Sequence, residues 1–104
     1  MTYSTDKTVQ TSLDNGSPTL VVFSADWCPP CKALQPVIEQ FSAAHTTINC
    51  FKVNVESSDM AAKANIANIP TIILYVEGKE VLRLVGLQTL AGLEKAVTNS
   101  MTRS

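Results

Sequence analysis

Two thiols separated by two residues can close into a small disulfide ring and open again. Cys28 and Cys31 stand at that spacing in Trp27-Cys28-Pro29-Pro30-Cys31, with prolines between them. In such a pair one thiolate attacks a substrate disulfide and the other thiol resolves the mixed disulfide that results. The same cysteines also fit a metal pattern, because Cys28, Cys31, His45 and Cys50 form C-x2-C-x13-H-x4-C, four potential zinc ligands. An iron–sulfur centre bridging two copies through Cys28 is a second metal alternative. Against metal stand the uninterrupted apolar face between Cys31 and His45 and a core large enough to fold unaided. The preferred reading is a redox dithiol with no metal and no bound cofactor.

The elements on either side must hold these thiols. Leu20-Val21-Val22-Phe23 is a continuous apolar run, expected for a strand buried on both faces, and a turn follows at Ser24-Ala25-Asp26-Trp27. From Pro29 onward Leu34, Val37, Ile38 and Phe41 fall on one helical face, predicting a helix over about 29–44. Proline is tolerated in a helix's first turn, where its missing N–H has no intrahelical partner, whereas Pro36 should bend the helix. Cys28 then sits at the N-cap and Cys31 in the first turn. The helix dipole and free N–H groups should lower the Cys28 pKa below the ordinary thiol value, which makes Cys28 the attacking thiolate and Cys31 the resolving thiol.

The remaining chain reads as alternating elements. A first helix is predicted over about 6–14, ended by Gly16-Ser17-Pro18. Phe51, Val53 and Val55 alternate with Lys52 and Asn54 as in a strand, and a short helix runs from Ser57-Ser58-Asp59 to about Asn65. The segments 72–76 and 81–85 flank Glu77-Gly78-Lys79 as an antiparallel hairpin that would add the sheet's antiparallel edges. Thr89 caps a last helix with Leu90, Leu93, Val97 and Met101 on one face. A right-handed crossover makes the first two strands parallel, and Met1 to Ser4 can supply only a stub of a further strand.

At 104 residues, 45% hydrophobic and 16% charged, the chain is expected to form one domain spanning 1–104. A formal net charge of -1, with no basic run, argues against a nucleic-acid surface. No apolar segment approaches the ~20 residues of a membrane span, and the first residues lack the basic start and apolar core of a signal peptide. No membrane association and a cytoplasmic location are therefore expected. An odd cysteine count does not suit a secreted disulfide framework, and Cys50 reads as a small half-buried apolar residue.

The order WCPPCK, Pro36, Lys52-Val53-Asn54-Val55, Ile69-Pro70-Thr71, Gly78 and Val85-Gly86 resembles the thioredoxin family over nearly the whole length. The resemblance implies an α/β thioredoxin fold: a central mixed sheet of four to five strands flanked by helices, with a cis peptide before Pro70. It also implies a protein disulfide reductase using Cys28 and Cys31. A substrate groove would be formed by Trp27, the backbone of Ile69 before Pro70, and the loop at Gly86, holding an extended chain in strand-like pairing. Disulfide-containing proteins would be the substrates, a thioredoxin-reductase-like flavoprotein or another dithiol the electron source, and a monomer the working form. The alternative is a thioredoxin-like binding module or subunit whose role does not need the dithiol.

Two positions depart from the family pattern. Pro29 replaces the usual Gly, so that WCPPC resembles the motif of tryparedoxins, and Pro29 and Pro30 each remove an N–H donor from the helix start. Pro29→Gly is accordingly expected to lower the Cys28 pKa. Val22 stands where the family carries a buried Asp thought to accept the proton of the resolving thiol. Lys52, which would pair with that Asp, must find another partner, and it is a candidate for tuning Cys31 directly or through water. Asp26 and Lys32 flank the motif and read as solvated charges.

Overall fold

The computed structural model describes residues 1–102. Its elements are α1 (Asp6–Asp14), β1 (Thr19–Ser24), α2 (Pro29–Ala44), β2 (Asn49–Asn54), α3 (Asp59–Lys63), β3 (Thr71–Val76), β4 (Lys79–Val85) and α4 (Leu90–Thr102). They build a sheet of order β2-β1-β3-β4, in which β1 runs parallel to β2 and antiparallel to β3, and β4 runs antiparallel to β3. The N-terminal stub adds a single parallel bridge, Tyr3 to Lys52, with Ser4 N–H donating to the Lys52 carbonyl at 2.7 Å. The sheet therefore has four strands and one extra rung on the outer edge of β2.

The apolar run of β1 is explained by its place. Leu20 and Val22 face one way, into a layer with Leu34, Ile38 and Phe41 of α2 and Leu93 and Val97 of α4. Val21 and Phe23 face the other way, against Val9 of α1, Val53 and Ala61. A strand flanked by partners and covered on both faces has no surface for a polar side chain. β3 is its counterpart: Ile72 and Leu74 join the first layer and Ile73 the second. The hairpin supplies an antiparallel edge as expected, but through β4 alone, since β3 is interior and β2 forms the other margin.

Local chemistry sets the boundaries. Glu77 and Gly78 both have positive φ, the two-residue turn that matches strand twist, so β4 begins at Lys79, two residues before the expected Val81. Asn65, with φ of 56°, stops α3 at Lys63. The start of α3 is capped by Ser58 and also by Asp6 of α1. The Asp6 carboxylate accepts from the Ser58 hydroxyl at 2.6 Å and from the Asp59 and Met60 N–H groups at 2.9 and 3.3 Å. No helix among the described residues is long and apolar enough to cross a membrane.

Candidate active site

β1 ends at Ser24, and the chain turns through Asp26 and Trp27 to start α2 at the sheet's end. Cys28 is the N-cap with extended backbone, and Pro29 and Pro30 occupy the first two helical positions. The Cys31 N–H donates to the Cys28 sulfur at 3.3 Å, which is the bond an N-cap side chain makes to the third residue of a helix. On its other side the Cys28 thiol points at the Ile69 carbonyl oxygen, 3.8 Å away. Both cysteines are free and close together, packed with Ala25, Val55 and Ile69 in a small apolar cluster.

That packing overturns one expectation. Cys28 is 4% exposed and Cys31 6%. Burial pushes the Cys28 thiol above its ordinary range, a side-chain hydrogen bond with Cys31 adds to the rise, and the Cys31 N–H works in the opposite direction. The helix start has one fewer donor to oppose this rise, because the second helical position, the other usual partner of an N-cap side chain, is Pro30.

The other expected residues fall around the thiols as follows. The Ile69–Pro70 peptide is cis. Gly86, with φ of 91°, donates its N–H to the Pro70 carbonyl at 2.8 Å, which ties the β4–α4 loop to the segment beside Cys28. A positive φ of this size favours glycine, and nothing lies within 4 Å of where a Cβ would sit, so conformation rather than space selects the residue. Trp27 is 64% exposed, unusual for an indole, and Val85 and Leu87 are exposed beside Gly86. His45 and Cys50 do not join the pair. His45 caps the far end of α2, fourteen positions from Cys31 and so about 21 Å along the helix. There it stacks on Phe41 and bonds Glu94 at 2.8 Å. The Cys50 thiol donates to the Ile48 carbonyl at 3.8 Å. The zinc quartet is thus split between the two ends of one helix, and among the described residues no cluster of three potential ligands occurs.

Val22 is 4% exposed in the apolar layer and lies opposite Lys52 in the β1–β2 register. Lys52 has found two other partners. Its ammonium donates to Gln35 Oε1 at 2.9 Å and sits 4.3 Å from the centre of the Tyr3 ring. The Tyr3 hydroxyl in turn donates to Asp26 Oδ1 at 2.8 Å. Tyr3 and Gln35 were not anticipated. Gln35 follows Cys31 by four positions on α2, a helical spacing the sequence displays. Tyr3 carries no local signal, because only the bridge to β2 brings it over Lys52.

A cis-proline loop facing an N-cap dithiol, on a four-stranded mixed sheet flanked by helices, defines a thiol–disulfide oxidoreductase. The thioredoxin family model matches residues 1–99, and the chain belongs to the thioredoxin family. It is 39% identical over 92 residues to thioredoxin-2 of Saccharomyces cerevisiae, covering 86% of this chain and 88% of that one. It is 41% identical over 80 residues to the thioredoxin of Chlamydia trachomatis, covering 76% and 78%. Among solved structures, oxidised thioredoxin from Plasmodium falciparum superposes with a TM-score of 0.81 at 28% identity, over 91% of each chain. Thioredoxin from Trypanosoma brucei brucei shares the fold, with a TM-score of 0.84 at 22% identity over 97% of this chain and 88% of that one. The activity is thiol–disulfide exchange, and membership in the family implies a reductase partner and disulfide substrates.

Proposed function

We propose that Cys28 is the nucleophile and Cys31 the resolving thiol of a protein disulfide reductase. The observation that carries the assignment is the position of the Cys28 sulfur between the Cys31 N–H at 3.3 Å and the Ile69 carbonyl at 3.8 Å. A thiolate there accepts from the helix start. It also lies beside a backbone that offers strand-like pairing to an extended substrate. Exposed Trp27 and the loop at Gly86 complete the receiving surface, and Pro29 and Pro30 stiffen the ring-forming segment. Attack by Cys28 gives a mixed disulfide; attack by Cys31 on Cys28 then releases the reduced substrate and leaves a 28–31 disulfide. A thioredoxin-reductase-like flavoprotein or another dithiol donor returns the two electrons. The protein works as a monomer in the cytoplasm, with no bound cofactor.

The test is capture. Incubated with a disulfide-linked peptide, the Cys31→Ser variant should accumulate a mixed disulfide that maps to Cys28, and Cys28→Ser should accumulate none. A stable adduct on Cys31 in the Cys28→Ser protein, formed at a comparable rate, would reverse the roles.

A further inference from the structure

The resolving step must remove a proton from Cys31, and no carboxylate stands at the position of Val22 to take it. What borders Cys31 instead is a polar cleft of about 290 Å³ lined by Tyr3, Asp26, Cys31, Lys32, Gln35 and Lys52, with Ser24 and Ala25 at its inner wall. That volume holds several water molecules, each with polar partners available on the walls. The side chains of the cleft are already joined: Gln35 to Lys52, Lys52 to the Tyr3 ring, and Tyr3 to Asp26. Asp26 itself lies at the exposed mouth.

We propose that this cleft is the proton exit of the resolving step, with water carrying the Cys31 proton to the Asp26 carboxylate, and with Tyr3 and Lys52 as positioning residues. The inference rests on Cys31 as the resolving thiol. In the step, the Cys31 S–H bond breaks as its sulfur attacks Cys28. The bond between Cys28 and the substrate breaks, and its electron pair leaves on the substrate sulfur. The proton passes through cleft water to Asp26 and on to bulk solvent, and solvent protonates the substrate thiolate. The dithiol loses two electrons and the substrate disulfide gains them.

Each wall has a definable part. The Tyr3 hydroxyl holds one carboxylate oxygen of Asp26, fixing the side chain over the opening. Burial and the Asp26 carboxylate together raise the Tyr3 pKa to about 12, so the phenol stays a donor through the working pH range. Lys52, on β2, places a positive charge in the cleft, and it is kept there by Gln35 and the ring because Val22 offers it no partner. The other ionisable groups near Cys31 are Cys28, the N-cap of α2, and Lys32 on α2; Glu39, also on α2, is paired with the N-terminal ammonium at 2.7 Å. General-base assistance contributes about 10²–10⁴-fold in enclosed sites, and an acceptor at an open mouth belongs below that range.

The test separates the two chemical steps by rapid mixing with a disulfide peptide that carries a fluorophore. Asp26→Asn should leave mixed-disulfide formation unchanged and slow its resolution about tenfold at pH 6.5, with the deficit vanishing by pH 9. Formate, small enough for the cleft, should restore resolution in the variant in a concentration-dependent way. Tyr3→Phe keeps the ring over Lys52 and loses the bond to Asp26, so it should slow resolution about threefold. In Asp26→Asn the Tyr3 phenol should also titrate lower, read by ultraviolet absorbance, which confirms that the variant altered the intended contact. Resolution within twofold of the parent at pH 6.5, or equal slowing of both steps, would overturn the proposal. A failure of the role assignment itself is visible separately, because the adduct would then map to Cys31 in the capture experiment.

Discussion

Val22→Asp places a carboxylate where the family pattern has one, and the surroundings of Val22 make its cost calculable. The valine is 4% exposed and packed in the layer of Leu20, Leu34, Ile38, Phe41, Ile72 and Leu74. Losing that burial costs about 2 kcal/mol. An aspartic acid kept neutral there leaves a polar group without a designed partner, adding about 1–3 kcal/mol. At pH 4 the variant should therefore be about 3–5 kcal/mol less stable than the parent, a large part of the 5–15 kcal/mol typical of a domain. Ionisation makes matters worse as pH rises. Burial raises the folded pKa of the new acid above its unfolded value of about 3.9, so the folded state binds the proton that the unfolded state releases. Stability is then greatest below the unfolded pKa and falls with rising pH, by about 2 kcal/mol between pH 4 and 6, until the folded pKa is passed.

Urea denaturation followed by far-ultraviolet circular dichroism at pH 4, 5, 6 and 7 measures this, with the parent at each pH as reference. Trp27 fluorescence is the poorer probe, because the only indole is 64% exposed in the folded state. Val22→Asn has the same shape without the charge and should carry the pH-independent part alone. A Val22→Asp penalty below about 1 kcal/mol and flat across this range would refute the reasoning, since a residue this enclosed can escape desolvation only by pairing. It would mean that Lys52 leaves Gln35 and Tyr3 for the new carboxylate, and that the contacts to Gln35 and the ring are weaker than their geometry of 2.9 and 4.3 Å indicates.

The raised Cys28 pKa has a direct kinetic signature: the parent holds mostly thiol near neutrality, so its alkylation rate by iodoacetamide should keep rising through pH 8.5, the ordinary thiol midpoint, with no plateau there. Pro30→Ala restores an N–H at the second helical position and should move that profile to lower pH, and by more than Pro29→Gly does; an unchanged profile in both variants would show that the missing donors are not responsible. Asp6→Ala removes three hydrogen bonds between the starts of α1 and α3 and should lower stability by about 1–2 kcal/mol, the range of a lost helix cap, with α3 amides exchanging faster than those of β1. Uniform exchange across both elements would show that Asp6 stabilises only the whole fold.

What was legible in the sequence follows from how locally each feature is encoded. β1, α2 and their junction announced themselves, because burial on both faces forces a continuous apolar run and a single buried face forces helical spacing. Cys28 at the cap followed from that junction alone. The place of β3 inside the sheet was not legible, since an antiparallel hairpin reads the same whether its first strand pairs outward or with β1. The direction of the Cys28 pKa was missed for a related reason. The helix start that favours thiolate is written in the local sequence, whereas the Val55 and Ile69 packing that opposes it comes from other elements.

Lys52 shows how the two kinds of information combine. Its sequence position, opposite a valine where a carboxylate is usual, poses an electrostatic problem, and the answer lies in residues chosen by topology. Gln35 reaches it from α2 and Tyr3 from a one-rung strand on the sheet edge. The consequence is chemical as well as structural. An acid buried at Val22 would take the Cys31 proton inside the core, at the desolvation cost set out above. In the proposed exit the negative charge sits on Asp26, which lines the same cleft as Cys31, and the core stays apolar. Stability and proton transfer are thereby separated onto different side chains. The two sets of variants should consequently behave as opposites: Val22→Asp acting chiefly on stability and its pH slope, and Asp26→Asn acting on the rate of one chemical step with little change in unfolding.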